Sequence, residues 1–237
     1  MKIKQIDKLI LIFMVLALVS LNYPAIDSFL GRILSSNQEV FVERIIDGDT
    51  VESSIGNVRL LGINTPERGE KYYPEAKEFL SSMVFNKTVM LEYGKERRDK
   101  YNRTLAYIFL DGKNINIDMV KNGFANYYFY DGRDKYSDAL EDAWGECIEK
   151  KINLCELSSN QCSSCITVNP SFVINNCAVA CNITAWQIKG EGREKFIFNQ
   201  TILQKNEKIS FVLDITNSSR SLFLRDEEGN LVLWKKA

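Results

Sequence analysis

Two short acidic segments of the chain could bind a cation or move a proton. The segment IIDGDTV carries Asp47 and Asp49, and the segment RLLGINTPE ends at Glu67. Both follow apolar, strand-like residues, so we expect these carboxylates at strand ends, within reach of water and cations. Gathering carboxylates there costs free energy unless they bind something. The alternative is that Asp-Gly-Asp only closes a hairpin, since these residues are common in turns.

The chain has 237 residues and contains no histidine. This excludes Ser-His and Cys-His hydrolases, and also enzymes whose metal is held by histidine. A general base must therefore be a carboxylate, a lysine, a tyrosine or a metal-bound water. The formal net charge of −1 predicts no general attraction to nucleic acid. A polyanion would have to bind a local basic patch, such as residues 95–103.

The N-terminal segment has a lysine-bearing head followed by an apolar run at residues 9–21. A run of this length is typical of a signal peptide, and extension to residue 26 would give a marginal membrane span. We predict a signal peptide or signal anchor at residues 1–30, with a buried N-terminal helix as the alternative. The rest of the protein would then be extracytoplasmic, either membrane-anchored or secreted, where disulfides and calcium are both expected.

The apolar pattern beyond the polar linker at residues 31–39 predicts a mainly β domain. Turn residues separate segments of alternating or apolar residues, and Pro74 opens the first predicted helix, PEAKEFLSSMV. This order predicts a five-stranded Greek-key barrel of the OB type with about three helices, a fold whose groove commonly binds oligonucleotides. We predict strands at residues 40–46, 50–54, 58–63, 88–93 and 104–110, and further helices near 115–122 and 135–150.

The segment from residue 38 to residue 156 resembles the staphylococcal nuclease (thermonuclease) family. The motifs that carry the likeness are DGDTV, RLLGINTPE, GEKYYPEAKEFL, DKYNRTLAYIFLDG and MVKNGFANYYFY, in family order. The resemblance implies a calcium-dependent hydrolase that cleaves phosphodiester bonds of DNA and RNA and favours single strands.

The resemblance also implies a calcium site built from oxygen ligands. Asp49 and Asn64 would supply side-chain oxygens, Thr65 its backbone carbonyl, and Asp47 would lie close by. Calcium prefers such hard oxygens and needs no histidine.

Three residues match the catalytic positions of the family. Arg59 and Arg103 would bind phosphoryl oxygens, a task that suits the rigid, always charged guanidinium. Glu67 would orient the attacking water or take its proton. Taken singly, these residues could equally be surface ion-pair partners.

Substrate contacts follow from the same resemblance. Lys100 and Tyr101 match positions that hold a terminal phosphate, and Tyr128 and Tyr130 match aromatic residues against which a base or sugar packs. The alternative for these tyrosines is a place in the core or at an interface.

The sequence departs from the family pattern at two places. Asn64 stands where the family usually has aspartate, which removes a negative charge and predicts weaker calcium binding. The loop ERGEKYY that begins at Glu67 is shorter than in the best-known members, and loops at site edges position substrate and gate release.

The composition changes beyond residue 156. Six cysteines lie at positions 147, 155, 162, 165, 177 and 181, where disulfides are favoured and a four-thiolate zinc site is the alternative. Short strand-like segments then alternate with turns to the end of the chain, which predicts a small β-sandwich. Within it, the segment KGEGREK at residues 189–195 predicts a solvent-exposed hairpin.

This second region resembles the lamin tail domain, an Ig-like β-sandwich, through ITAWQIKGEGREKFIF, the strand pair ILQKNEKISFVL, and SLFLRDEEGNLVLW. The resemblance implies a role in targeting or binding, with a possible partner at a surface. We therefore predict four parts: residues 1–30, a nuclease-like domain at 38–157, a cysteine-bearing linker at 158–166, and the β-sandwich at 167–237. The alternative function is a membrane-anchored OB-fold protein that binds nucleic acid without cleaving it.

Overall fold

The computed structural model describes residues 37–129, 132–191, 194–213 and 221–236. The predicted signal segment at residues 1–30 and the predicted substrate residue Tyr130 lie outside this described part. Among the described residues, no helix is both long and apolar enough to span a membrane.

The first half of the described chain is a closed β-barrel. Strand β1 pairs antiparallel with β2, β2 pairs antiparallel with β3, and β5 pairs antiparallel with β6. A parallel pairing of β3 with β6 closes the five-stranded barrel. The predicted fold class is therefore confirmed, as are the five predicted strands. The strands of this half are β1 (Asn37–Asp47), β2 (Thr50–Ser53), β3 (Gly56–Leu60), β4 (Ile63–Asn64), β5 (Thr88–Arg98), β6 (Thr104–Leu110), β7 (Lys113–Asn114) and β8 (Asn126–Tyr127).

Three helices cover the barrel, as the sequence predicts: α1 (Tyr73–Val84), α2 (Ile115–Lys121) and α3 (Ser137–Lys150). Proline in the first turn suits the start of α1, because its missing N–H would have no helical partner there. Asn114 caps α2 by accepting a hydrogen bond from the Ile117 backbone N–H. Each helix turns an apolar stripe toward the barrel interior, where Leu80, Met119 and Trp144 are fully buried.

The second half is a β-rich region with short strands. Its largest sheet has the order β13-β12-β16-β17, and a three-stranded sheet has the order β15-β10-β9. Its strands are β9 (Ile166–Asn169), β10 (Phe172–Asn175), β11 (Cys181–Asn182), β12 (Gln187–Lys189), β13 (Lys195–Ile197), β14 (Ile202–Leu203), β15 (Lys208–Ser210), β16 (Ser221–Arg225) and β17 (Leu231–Lys236).

All six cysteines form disulfides, as the composition favours. Cys147 pairs with Cys155 at the end of α3, Cys162 with Cys181, and Cys165 with Cys177. The last two bridges tie the segment before β9 to the segment before β12. They cross-link a region whose strands are too short to hold together by pairing alone.

The β-rich region packs against the barrel through buried side chains. Phe223 of β16 belongs to the barrel core and stacks edge-on against Tyr127 and Trp144. The Tyr127 hydroxyl donates to Ser221 Oγ at 2.5 Å and accepts from Trp234 Nε1 at 2.9 Å. Contacts of this kind place the second region against the end of the barrel that carries β8.

Candidate active site

The two predicted acidic segments meet at one end of the barrel. Asp47 ends β1 and Asp49 precedes β2, so the DGD turn joins this hairpin. Thr65 follows β4 and approaches the turn closely. A Cβ atom on Gly48 would lie 2.9 Å from Thr65 Oγ1, so only glycine allows this approach without a shift.

Asp49 is buried and fully hydrogen-bonded. Its Oδ2 accepts from the backbone N–H of Thr65 at 3.2 Å and from Thr65 Oγ1 at 3.1 Å. Its Oδ1 accepts from Thr50 Oγ1 at 3.0 Å. The carboxylate therefore ties the hairpin turn to the segment that leads to Glu67.

Arg59 lies in β3 with 6% of its surface exposed. Its Nη1 donates to the Leu60 carbonyl at 2.5 Å, and its Nη2 donates to the Ile63 carbonyl at 2.9 Å. The same Nη2 lies 3.0 Å from Asp49 Oδ2 and 3.3 Å from Asn64 Oδ1. One guanidinium nitrogen thus joins two of the predicted metal ligands.

The donor set fits a calcium ion. Asp47, Asp49, Asn64 and the Thr65 carbonyl are hard oxygen donors, the class that calcium prefers. One Asp47 oxygen, Oδ1, is buried and has no hydrogen-bond partner among the described residues. Such an atom is costly unless something binds it, and a cation is a natural partner for a carboxylate oxygen. The Asn64 amide nitrogen is likewise buried and unpaired.

Arg103 is held differently, by a loop between β5 and β6. Its Nε and Nη2 bind Asp99 Oδ2 at 2.7 and 2.6 Å, and its backbone N–H donates to Asp99 Oδ1 at 2.9 Å. Burial alone would raise the pKa of Asp99, but these hydrogen bonds and the arginine charge hold it below its usual range. Because Leu105 pairs with Arg59, Arg103 lies two residues from the register partner of the other arginine.

Two of the predicted substrate residues, Lys100 and Tyr101, belong to the same loop as Arg103. Tyr101 is 65% exposed, and both Lys100 and Arg103 lie over its ring, at 5.1 and 5.4 Å from the centroid. Tyr128 follows β8, which pairs with β4, and its backbone N–H donates to the Gly62 carbonyl at 2.8 Å.

Glu67 lies half-buried in the turn after β4. Its backbone N–H donates to Glu70 Oε2 at 2.9 Å. Sequence reasoning did not single out Glu70, nor Asp99 as the partner of Arg103. The spacing of Asp99 four residues before Arg103 is a signal that could have found the latter.

Comparison with known proteins matches the barrel to a nuclease family. Residues 57–156 match the family described as "Staphylococcal nuclease homologue". The thermonuclease of Staphylococcus intermedius is 36% identical over 129 residues, which cover 50% of this chain and 77% of that protein. The thermonuclease of Staphylococcus hyicus is 34% identical over 131 residues, covering 51% and 78%. Endonuclease YncB of Bacillus subtilis is 33% identical over 149 residues, covering 56% and 71%.

The family match ends at residue 156, so the β-rich region lies beyond it, and its resemblance to the lamin tail domain stays a prediction. The barrel, by contrast, carries the motifs of the family, has the fold expected for it, and is similar in sequence to thermonucleases and endonucleases. The chain belongs to the staphylococcal nuclease homologue family.

Proposed function

We propose that the protein is a calcium-dependent nuclease that hydrolyses phosphodiester bonds of DNA and RNA, with a preference for single strands. Family membership and the thermonuclease and endonuclease relatives support a nuclease. The observation that carries the proposal is the buried junction of Asp49, Arg59, Asn64 and Thr65. It gathers oxygen donors and a phosphate-binding group at one end of the barrel.

Calcium would be held by Asp47, Asp49, the Asn64 amide oxygen and the Thr65 carbonyl. When bound, it would polarise the phosphodiester and stabilise negative charge on its oxygens. Arg59 already contacts Asp49 and Asn64, so its guanidinium lies next to the group that a cation would bind.

Arg59 and Arg103 would bind the nonbridging oxygens of the scissile phosphate. Backbone carbonyls fix the first guanidinium and Asp99 fixes the second. Donors that are positioned in advance stabilise charge in the transition state without reorganising during the reaction.

Glu67 would accept a hydrogen bond from the attacking water and orient it toward phosphorus, taking its proton as the P–O bond to the leaving group breaks. Lys100 and Tyr101 would contact a terminal phosphate, and Tyr128 and Tyr130 would pack against a base or sugar. Single strands suit this arrangement because their bases are free to stack on protein side chains.

The location of the protein belongs to the proposal as well. Residues 1–30 would export the chain or anchor it to the cytoplasmic membrane, with the catalytic barrel on the outer side. The three disulfides support an oxidising compartment. The β-rich region would hold the enzyme near a surface or its substrate.

The direct test is cleavage of single-stranded DNA and RNA by the full chain while calcium is raised from zero, with EDTA as the blank and Glu67→Gln as the matched impaired variant. We expect calcium-dependent cleavage by the wild type and much slower cleavage by the variant. Binding of oligonucleotides without cleavage at any calcium concentration would instead favour the anchored, non-catalytic binding protein. The neutral Asn64 in the donor set is the feature that makes this second candidate worth testing.

A further inference from the structure

The turn that carries Glu67 is closed by its own hydrogen bonds. The Glu67 N–H donates to the Glu70 carboxylate at 2.9 Å, and the Glu70 N–H donates to the Glu67 carbonyl at 2.9 Å. The direction of the Glu67 backbone therefore depends on where the Glu70 carboxylate is held. Any group that fixes Glu70 also fixes the residue proposed to orient water.

Two lysines of the β-rich region hold that carboxylate. Lys195 Nζ lies 2.5 Å from Glu70 Oε1, and Lys189 Nζ lies 3.9 Å from Glu70 Oε2. The Lys189 side chain is only 12% exposed. The expectation of a solvent-exposed hairpin at residues 189–195 is therefore wrong at Lys189, because this lysine turns inward toward the barrel.

The two lysines are poorly placed without Glu70. They lie directly opposite each other on the neighbouring strands β12 and β13. Like charges in this position destabilise a sheet. Burial also lowers the pKa of Lys189, and the nearby Glu70 carboxylate opposes that change. Glu70 thus compensates a charge pair that would otherwise weaken the hairpin.

The two lysines in turn change the pKa of Glu70. Burial raises the pKa of Glu70, but Lys189 and Lys195 outweigh it and hold the pKa below the usual glutamate range. Glu70 therefore stays ionised at neutral pH. As a carboxylate it accepts the Glu67 N–H and the Lys195 ammonium at the same time.

The residues that follow Glu70 are anchored in the same way. Lys71 Nζ contacts Asn230 Oδ1 at 2.6 Å and Glu156 Oε2 at 3.1 Å. The Tyr72 hydroxyl donates to the same Glu156 oxygen at 2.7 Å. Three successive residues of the loop are thus bound by the β-rich region or by the junction that leads to it.

We propose that Glu70 is a positioning residue for Glu67, and that Lys189 and Lys195 make the β-rich region a working part of the active site. The proposal rests on the nuclease function proposed above. A catalytic group displaced by about 1 Å can lose up to about 100-fold in rate. A scaffold that fixes the Glu67 backbone would therefore affect turnover more than substrate binding.

The first measurements use three single variants of the full chain. Glu70→Gln removes the charge and keeps the size of the side chain, and Lys195→Met removes the ammonium group and keeps most of the stem. Lys205→Met is the matched control, because Lys205 is an exposed lysine of the same region. Each is measured for kcat and KM on single-stranded DNA, for hydrogen exchange of the Glu67 amide, and for its thermal midpoint.

We expect Glu70→Gln and Lys195→Met to lower kcat by about tenfold with little change in KM, and to speed exchange of the Glu67 amide. The control should match the wild type in all three measurements. In a Glu67→Gln background, Glu70→Gln should lower kcat no further, because its effect passes through Glu67.

The positioning role would be overturned by unchanged kcat in both variants or by a change confined to KM. It would also be overturned if Glu70→Gln lowered kcat as much in the Glu67→Gln background as in the wild type. Failure of the proposed function is distinguishable, since it would appear as an inactive wild type or a fully active Glu67→Gln. Unchanged exchange of the Glu67 amide would reject the structural link whatever the activity.

Discussion

The candidate active site has two halves that are built in different ways. One half is fixed by strands: Arg59 is buried, bound to two backbone carbonyls and paired with the buried Asp49. The other half is fixed by loops: Arg103 is 21% exposed in its side chain and held mainly by one carboxylate, Asp99. The difference indicates that the first half is part of the folded core, whereas the second can change without disturbing the core.

The largest effect is expected for Glu67, which belongs to the loop half because it lies in the turn after β4. Glu67→Gln should lower kcat by about 10²–10⁴-fold, the usual contribution of a positioned base. Its free energy of unfolding should stay within about 0.5 kcal/mol of the wild type, because the side chain is half-buried in a turn. Steady-state kinetics and urea unfolding measure the two quantities, with the exposed Glu78→Gln as control. A large loss of stability would place Glu67 in the strand half.

The two arginines test the comparison directly. Arg59→Ala and Arg103→Ala should each lower activity by about 10²–10³-fold, as for loss of one transition-state donor. The two variants should differ in their free energy of unfolding. Removing Arg59 leaves Asp49 buried without its partner, which costs about 3–5 kcal/mol, whereas the more exposed Arg103 pair contributes about 1 kcal/mol or less. Equal losses in denaturant unfolding would contradict the division into two halves.

The sequence pattern predicts most strands of the barrel but not all of their boundaries. Short alternation predicted β1, where Val40 and Val42 are buried two positions apart, and a mostly apolar run predicted β6. The same pattern ended β5 at residue 93, although the strand continues to Arg98, because residues 94–98 are polar. The two-residue strand β11 carries no period and was not predicted.

In the candidate site, motifs singled out residues but did not predict the contacts that those residues make. The burial of Arg59 against Asp49 depends on how β3 packs beside the hairpin turn. The contact between Glu70 and Lys195 joins residues 125 positions apart. No local pattern encodes such a pair, since it arises only when the two halves of the chain pack together.

A smaller effect should follow from loosening the loop half alone. Asp99→Asn should lower kcat by about tenfold, because Arg103 loses the charge that fixes its guanidinium. The folded pKa of Asp99 is lowered, so its stabilisation is fully present above the unfolded pKa of about 4 and is lost as pH falls through the folded value.

The stability difference between wild type and Asp99→Asn should therefore be constant at neutral pH and shrink below about pH 4. Unfolding curves at several pH values measure it. Asp142→Asn serves as the control, because Asp142 is exposed. A difference that persists at pH 2 would show that the carboxylate charge is not responsible.

The smallest expected effect refines the strand half. Asn64→Asp adds a negative charge beside Asp49 and should lower the calcium concentration for half-maximal activity by about fivefold. Calcium titrations of activity and of intrinsic fluorescence report it. No change in the midpoint would indicate that Asn64 lies outside the ligand set.

Gly48 lets the two acidic turns pack closely together because it has no side chain. Any other residue there would place a Cβ against Thr65 and Ala76. Such an atom would push the DGD turn away from the segment that leads to Glu67. A larger residue at position 48 would therefore move the two turns apart together, so the spacing of the whole candidate site depends on a residue that performs no chemistry.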